Sequence, residues 1–510
     1  MVNNSQKKIL VLGASGYVGG RLVPLLLEKG YRVRAAARNT DKLSCREYAA
    51  HSNFEPYQVN VLDAQSLESA CQDCHAAFYL VHSMGPSQDK HSGFESLDRQ
   101  AAQNMVSCAE KAGLKQIVYL GGLGEQDENL SHHLKSRLEV GEILKQGPVP
   151  VTFLKAAMIL GSGSVSFELM RYLVERLPVM ITPKWVHSDC QPIAISNVLE
   201  YLAESLDNPA AIGQTFDIGG PDILDYSRLF QIYAQEAGLP QRIILPVPVL
   251  TPKLSSYWIR LVTPIPAHIA TPLTEGLRNT VVCRENRIQE IIPQELLSCR
   301  EAIRRALERD TREEADTCWR DSGNVVFPEW TTCSDSEFAG GNLYQISYEV
   351  ELGAPPEKIW PVLEAIGGEN GWYYPDFWWR FQGMLDKIAG GPGYRKGRRS
   401  QEHLRFGDAV DFWRTVQIRK NEELRLLSEM RLPGEAVLEF QLMPQGFSQS
   451  ILVLRLRFYT RGLGGITYWK TSAFLHRHLL KGIIRGIPQK AGVRTLKGPV
   501  PGRARDKCFI

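Results

Sequence analysis

The feature that most constrains the fold is a glycine turn near the start of the chain, between an apolar run and a helix-like segment. The apolar run is Ile9–Leu12, and Gly13, Gly16 and Gly19 follow it. A strand, a glycine turn and a helix in this order place N–H groups at a helix N-terminus, where a diphosphate binds well. Glycine is needed because the backbone turns with positive φ and approaches the phosphates closely. The stretch predicts a dinucleotide site, and the alternative is a tight turn in a generic α/β domain.

Length, charge and cysteine content limit the class of protein. The 510 residues predict two or three domains, and the net charge of +3 argues against a dedicated nucleic-acid partner. The short polar start predicts no secretory leader, and no apolar run is long enough to predict a membrane-spanning helix. Ten scattered cysteines, with one isolated pair at Cys71 and Cys74, indicate reduced thiols of a cytoplasmic protein and no metal site.

The order of elements predicts two different halves. From residue 8 to about 225, apolar strands alternate with amphipathic helices, which is typical of an α/β Rossmann-type doubly wound parallel sheet. Ligands bind such sheets beyond the carboxyl ends of the strands. The predicted domains are a Rossmann domain at 1–225, a small substrate-covering lobe at 226–310, a linker at 311–341 and a second domain at 342–500.

The second half alternates short strands and ends in a long helix-like stretch. Strands are predicted over 345–352, 408–418, 424–431, 437–442 and 451–459, a short helix over 355–365 and a long helix over 465–487. This order favours an α+β helix-grip fold, in which a curved sheet wraps the long helix around an apolar pocket.

Several motifs resemble the atypical short-chain dehydrogenase/reductase family, in the branch of NmrA-like and triphenylmethane-reductase-like proteins. They are GASGYVG at 13–19, Arg38 after the second strand, YLVHSM at 79–84, YLGGLG at 119–124 and LKAAMILGSGS at 154–164. Segments in both halves, such as QPIAISNVL at 191–199 and RGLGGITYW at 461–469, are similar to bacterial two-part proteins of the YbjT type. Those proteins join such a reductase domain to a C-terminal domain of unknown function, for which we expect START-like, helix-grip character.

The resemblance implies a cofactor site along the ends of the first four strands. The expected cofactor-binding residues are Gly13, Ser15, Gly16, Tyr17, Val18, Gly19, Arg38, Asn60, Val61, Leu80, Val81 and His82. Arg38 stands where NAD-binding proteins carry an acid, and its guanidinium suits a 2′-phosphate. NADP is therefore favoured over NAD, with Lys42 assisting, and a solvated surface charge is the alternative for Arg38. Asp63 either contacts adenine or caps the following helix.

The catalytic residues of the family do not stand in their usual positions. The family uses a serine and then Tyr-x-x-x-Lys, which move the proton and hold the ribose. Here Gly121 and Gly122, and then His133 and Arg137, occupy those places. Hydride transfer to an activated carbon stays open, because it needs no side-chain acid. The candidate catalytic residues are His82, His133, Arg137 and Lys155, and the candidates for the substrate pocket are Trp185, His187 and Tyr257. The alternatives are a structural role for the histidine at 82 and a salt bridge for the lysine at 155.

Two features of the second half suit a ligand or a surface. The aromatic run at 372–379 suits a stacked lipid-like or aromatic ligand, and packing within the core is the alternative. A basic face on the last helix suits an acidic membrane surface, and a solvated face of a packed helix is the alternative. The residues of this face are Lys470, His476, Arg477, His478, Lys481 and Arg485.

Together these features predict an NADP(H)-dependent oxidoreductase acting on a hydrophobic, quinone-like or enone-like small molecule. Two other functions stay open. One is a non-catalytic NADP(H)-sensing or ligand-carrying protein, because the family's Tyr and Lys are missing. The other is a sugar-nucleotide epimerase or dehydratase, suggested by the length of the first domain alone. The substrate, the direction of hydride transfer and the oligomeric state do not follow from the sequence.

Overall fold

Contacts within the chain divide it into two compact units, residues 1–324 and 325–510. The structure is a computed structural model, and it describes residues 6–44, 46–82, 94–124, 131–247, 275–311, 343–374, 377–388, 391–394, 398 and 400–502. The domain boundaries read from the sequence stay predictions. In the described part of the chain, no helix is long and apolar enough to cross a membrane.

The first unit is built on a parallel sheet of seven strands, in the order β11–β6–β5–β4–β1–β2–β3. The doubly wound parallel sheet predicted from the alternating pattern is thereby confirmed. The strands of this unit are β1 (Lys8–Leu12), β2 (Arg32–Ala37), β3 (Phe54–Gln58), β4 (Ala76–Tyr79), β5 (Gln116–Gly122), β6 (Val151–Ala156), β7 (Ile159–Leu160), β8 (Val179–Pro183), β9 (Asp189–Cys190), β10 (Ile193–Ala194), β11 (Thr215–Ile218), β12 (Leu224–Asp225) and β13 (Ile243–Val247).

Helices cover both faces of this sheet, and two separate apolar cores result. Ile9 and Val11 of β1 belong to one core, whereas Leu10 and Leu12 belong to the other, as the two-residue period of a strand requires. The helices are α1 (Gly19–Glu28), α2 (Asp41–Ser44), α3 (Ala64–Cys71), α4 (Phe94–Ala112), α5 (His132–Lys145), α6 (Val165–Arg176), α7 (Ile195–Ser205), α8 (Tyr226–Glu236), α9 (Arg287–Ile291) and α10 (Cys299–Thr311).

The order of the strands reverses between β1 and β4. Chain connections run from β1 to β2 and β3 on one side, and from β4 to β5 and β6 on the other. The chain therefore leaves β1 and β4 toward opposite sides of the strand order, at the carboxyl ends of two neighbouring strands. Ligands of doubly wound sheets bind at such a point.

The second unit is an antiparallel sheet packed against one long helix. The sheet order is β15–β16–β17–β18–β19–β14–β20, and the long helix α13 shares one apolar core with the sheet. Its elements are β14 (Leu343–Leu352), α11 (Pro356–Glu364), α12 (Phe377–Ile388), β15 (Ala409–Val410), β16 (Trp413–Arg419), β17 (Glu423–Ser428), β18 (Gly434–Gln445), β19 (Gln449–Thr460), α13 (Gly462–Lys490) and β20 (Thr495–Pro501). The α+β class with a long terminal helix is confirmed, and the helix-grip, START-like relationship stays an expectation.

Three elements of the second unit differ from the prediction. The strand expected over 408–418 is a hairpin instead, because Asp411 adopts φ +55° between β15 and β16. Part of the aromatic run at 372–379 begins helix α12, which the sequence reading treated only as an aromatic cluster. The edge strand β20, which pairs with β14, was not predicted.

Candidate functional site

The glycine turn between β1 and α1 packs against the end of β4. Gly13 has φ +84°, and a Cβ there would lie 2.7 Å from the carbonyl oxygen of Leu80. A Cβ on Gly19 would collide with the carbonyl oxygen of Gly13. Neither position has room for a side chain, so glycine is required at both. The turn is therefore fixed at the strand-order reversal, beside the residues that follow β4.

The N-terminus of α1 is suited to an anion. Its N-cap residue is Val18, no side chain caps it, and its first turn holds no acid. By contrast, Asp63, Ser131 and Asp225 cap α3, α5 and α8. In the first turn, the N–H groups of Gly20 and Arg21 already donate to the carbonyl oxygens of Gly16 and Val18. The diphosphate of a dinucleotide would therefore lie against the glycine turn that precedes them. The residues present therefore fit the cofactor that the glycine turn predicts.

The residues between the glycines lie in this turn, and two of them make contacts of their own. The Gly16 N–H donates to the Gly13 carbonyl at 2.9 Å, so this group stabilises the turn itself. The Tyr17 ring lies 4.9 Å from the Arg21 guanidinium, and its hydroxyl packs against Gly161 after β7. Since the Tyr17 side chain is directed to that loop, its expected contribution to a phosphate is its backbone N–H.

Two basic residues follow β2, where the ribose of a dinucleotide is expected. Arg38 is exposed directly after the strand, and its carbonyl oxygen accepts a hydrogen bond of 3.2 Å from Gln58. Lys42, at the second position of α2, is buried. An exposed guanidinium at this strand end can reach a 2′-phosphate, whereas the lysine is enclosed within its own unit.

The residues after β3 form a tight connection to α3. The Asn60 side-chain oxygen accepts a hydrogen bond of 3.2 Å from the backbone N–H two residues on, and the Val61 carbonyl accepts one of 3.0 Å from Asn104. The Asp63 carboxylate accepts from the N–H groups of Gln65 and Ser66. Of the two roles predicted for Asp63, the structure shows the helix cap.

A buried histidine–carboxylate pair lies just beyond β4. The His82 Nδ1 is 3.2 Å from a carboxylate oxygen of Asp98, which lies on the buried side of α4. That oxygen also accepts a hydrogen bond of 2.9 Å from the Ser136 hydroxyl on α5. Leu80 and Val81 lie half-buried immediately before the histidine. The Asp98 carboxylate thus orients both His82 and the start of α5.

Arg137 completes a charged cluster around this pair. Its Nε is buried and has no hydrogen-bond partner among the described residues, while its carbonyl accepts a 2.9 Å bond from the Tyr119 hydroxyl. Burial lowers the pKa of Arg137, and burial together with the Arg137 charge lowers the pKa of His82. His82 is therefore neutral at physiological pH, and Arg137 is a cation with one donor to spare.

The structure does not bring Lys155 into this cluster. Its Nζ lies 2.6 Å from a carboxylate oxygen of Asp217, which is buried on the neighbouring strand β11. The other Asp217 oxygen accepts a 3.0 Å hydrogen bond from the Arg284 N–H. These contacts form the salt bridge that the sequence analysis gave as the alternative for Lys155. They do not support its predicted catalytic role, which stays a prediction.

Several predicted residues fall outside what the structure describes. These are the side chains of His133 and Trp185, and all of Tyr257. His187 is described, and its Nδ1 lies 3.1 Å from the Asp225 carboxylate at an exposed position. In the basic face predicted on the last helix, His476 is the exception, because it is buried in the core of the second unit.

Sequence reasoning missed Asp98 and Ser136. One signal for Asp98 was present, because it falls at helical spacing with Ala101, Ala102 and Met105 on the buried face of α4. An acid on an apolar helix face is rarely left unpaired. Its partner could not be identified from the sequence, since His82 lies on a different element.

Comparisons with known proteins agree with the division into two parts. Residues 13–163 match a family model described as NAD(P)H-binding, and residues 338–483 match one described as a protein of unknown function, DUF2867. Cinnamoyl-CoA reductase 2 of Medicago truncatula is 28% identical over 243 residues, which are 40% of this chain and 71% of that protein. Cinnamoyl-CoA reductase 1 of Petunia hybrida is 30% identical over 124 residues, 24% of this chain and 36% of that protein.

Among solved structures, triphenylmethane reductase of a Citrobacter species complexed with NADP(H) is similar to this chain. The two are 19% identical, the match covers 59% of this chain and 99% of that one, and the TM-score is 0.47.

Proposed function

We propose that this protein, which joins an NAD(P)H-binding domain to a DUF2867 domain, is an oxidoreductase of the atypical short-chain dehydrogenase/reductase type. Its substrate is a hydrophobic small molecule with a carbonyl-conjugated carbon. The observation that carries the proposal is the buried His82–Asp98 pair with Arg137, next to the glycine turn at the strand-order reversal. The reductase names of the plant relatives agree with this class.

Asp98, His82 and Arg137 have separate roles at the reacting centre. Bound NAD(P)H supplies the hydride. The Asp98 carboxylate accepts a hydrogen bond from the Nδ1–H of neutral His82, which leaves the Nε2 lone pair to accept one from a solvent water, and that water supplies the proton of the product. The unpartnered Nε–H of Arg137 donates to the oxygen on which negative charge develops. A tyrosine acid is not needed in this arrangement.

Packing at the end of β5 leaves no room for the family's serine. A Cβ on Gly121 would lie 2.6 Å from the Phe153 ring, and a Cβ on Gly122 would lie 2.7 Å from a Leu134 methyl group. A serine at the end of β5 would therefore displace the strand or its neighbours. This supports chemistry that differs from the usual alcohol–ketone exchange.

NADP(H) is the proposed cofactor rather than NAD(H). The exposed Arg38 guanidinium follows β2 directly, and no acid stands at the end of that strand to accept from a 2′-hydroxyl. NAD is the alternative.

A second candidate is an NADP(H)-binding sensor or carrier without turnover. It is favoured by one observation: His133 and Arg137 occupy the positions at which the family carries its catalytic tyrosine and lysine. Such a protein would bind NADPH tightly and consume none.

The test is NADPH consumption by the full chain with a panel of quinones and enones. We expect Asp98→Asn to lower the turnover number about 100-fold, because His82 loses its orienting carboxylate. NADPH affinity should change by less than about threefold, since Asp98 does not lie on the nucleotide's predicted path.

Asp63→Asn is the matched control, because asparagine caps a helix as well as aspartate does. It should leave turnover unchanged. Turnover that survives in Asp98→Asn contradicts the proposed mechanism. Tight NADPH binding with no consumption on any acceptor contradicts the reductase and supports the sensor.

A further inference from the structure

A small cavity lies inside the second unit, between its sheet and two helices. Its walls come from α12, from β16–β19 and from the middle of α13. The lining is mostly aromatic and aliphatic, and includes Trp379, Trp413, Met430, Phe458, Trp469 and His476. The cavity volume is about 30 Å³. That is room for about two waters.

Three nitrogen atoms of the lining residues have no hydrogen-bond partner among the residues that the structure describes. They are Nε1 of Trp379, Nε1 of Trp413 and Nδ1 of His476. The three side chains are only 4%, 4% and 9% exposed. A buried polar group without a partner is costly, and the great majority of such groups in folded proteins are paired. Three of them around one cavity indicate that something in the cavity pairs with them.

The chemistry of the nitrogens defines the partner. An indole N–H donates and cannot accept, so Trp379 and Trp413 both require an acceptor. His476 stacks on Trp469 at 5.7 Å between ring centres, and burial lowers its pKa from 6.5 to about 4. It is therefore neutral at physiological pH, and its Nδ1 either donates or accepts according to the tautomer.

The charges around the cavity exclude an anion. Among the described lining residues none is charged at neutral pH. The nearby Asp386 is a carboxylate, bonded by the N–H groups of Gly393 and Arg431 at 2.8 and 2.7 Å, and it helps to raise the pKa of the lining residue Tyr468. A carboxylate or phosphate ligand would be buried without a counter-ion. A neutral carbonyl oxygen avoids this cost.

We propose that this cavity binds a neutral, mainly apolar small molecule through a carbonyl oxygen that accepts from the indole N–H groups of Trp379 and Trp413. The apolar part of the ligand packs against the flat rings of Phe458 and Trp469. Because the cavity holds about two waters, a larger ligand requires flexible lining side chains such as Met430 to move aside. The site lies wholly within residues 377–480, so it does not depend on the oxidoreductase proposed for the first unit.

The experiment follows the indole N–H resonances of the ¹⁵N-labelled full chain, which has ten tryptophans. Three ligands of similar size are added: acetophenone, ethylbenzene and benzoate. Acetophenone should shift the resonances of Trp379 and Trp413, identified from the variants Trp379→Phe and Trp413→Phe. It should bind about tenfold more tightly than ethylbenzene, which has the same ring and two-carbon chain but no acceptor.

The phenylalanine variants keep an aromatic ring and remove one N–H donor, and they also enlarge the cavity. Each should therefore lower the affinity for acetophenone relative to ethylbenzene about tenfold. Trp378→Phe is the matched control, since Trp378 is the exposed neighbour on the same helix and does not line the cavity.

Three results overturn the proposal. The first is the absence of any acetophenone shift, which leaves ordered water as the partner of the three nitrogens. The second is equal affinity for acetophenone and ethylbenzene. The third is preferred binding of benzoate. The comparison of the three ligands on the unmodified chain keeps the test decisive even where a variant fails to fold.

Discussion

The two candidate sites bury polar groups in opposite ways. In the first unit, the Asp98 carboxylate is held by His82 and Ser136, and the Asp217 carboxylate by Lys155. In the second unit, the cavity holds three neutral nitrogens without partners and no charged lining residue among those described.

This difference bears on the ligand that each site can take. Charged groups fixed by protein partners can tolerate a charged ligand, because their own desolvation is already compensated. The first site therefore suits a dinucleotide and a developing oxyanion. Neutral donors in an apolar cavity suit only a neutral acceptor. We infer that the two units recognise chemically different molecules.

The largest effect is expected from the glycine turn of the first unit. Gly13→Ala should weaken NADPH binding by up to about 1,000-fold. The turn relaxes away from the left-handed conformation and the overlap with the Leu80 carbonyl, and restoring the binding conformation then costs up to about 4 kcal/mol. Calorimetric titration of the variant with NADPH measures this loss.

Gly30→Ala is the control for the backbone conformation alone. Gly30 has φ +86°, close to the +84° of Gly13, and a Cβ there would meet nothing within 4 Å. It should lower stability by about 1 to 2 kcal/mol and leave NADPH affinity unchanged. Equal affinities of the two variants would show that the turn does not approach the nucleotide.

The next effect is a pH dependence that belongs to the second unit. The unfolded chain protonates His476 below its ordinary pKa of 6.5, whereas burial keeps the folded chain from doing so until about pH 4. This contribution to stability is complete above pH 6.5 and is lost as the pH falls toward 4, by about 3 kcal/mol. Urea unfolding followed by tryptophan fluorescence at several pH values measures the change.

His476→Phe keeps a buried ring that does not titrate. Other carboxyl groups also titrate in this range, so the difference between the wild type and the variant is the quantity to compare. The free energy of unfolding of the wild type minus that of the variant should fall by about 3 kcal/mol between pH 6.5 and pH 4. A constant difference would mean that His476 is charged or accessible in the folded chain.

The smallest expected effect distinguishes NADP from NAD as the cofactor of the first unit. Arg38→Ala should weaken NADPH about tenfold, through loss of a charge-assisted bond to the 2′-phosphate, and leave NADH within about twofold. Arg32→Ala, at the exposed opposite end of β2, should change neither. Titration of each variant with NADPH and NADH measures both affinities. Equal weakening of NADPH and NADH binding by the Arg38 variant would contradict the contact between Arg38 and the 2′-phosphate.

Much of the fold could be predicted, because its signals are local. Alternation of apolar runs with helical spacing predicts the parallel sheet of the first unit, and the apolar run Ile9–Leu12 lies within β1. Edge strand β20 was missed because TLKGPVP carries a glycine and two prolines, which are tolerated only at a sheet edge. Helix α12 was missed because its outer face exposes residues such as Phe377 and Ile388, which obscures the usual pattern.

The site could be predicted only in part, because its contacts join distant elements. The glycine turn and Arg38 are marked by their own neighbours in the sequence. The His82–Asp98 pair joins β4 to α4, and the Lys155–Asp217 pair joins two strands far apart in the chain. Neither pairing follows from periodicity, since each depends on which strands become neighbours in the sheet.

The most direct test of the account is a calorimetric titration of the unmodified full chain with NADPH and with NADH. The account predicts saturable binding of one NADPH per chain, tighter than that of NADH. Binding of neither nucleotide would contradict the central claim, because the glycine turn, the uncapped helix and the His82–Asp98 pair would then serve some other ligand.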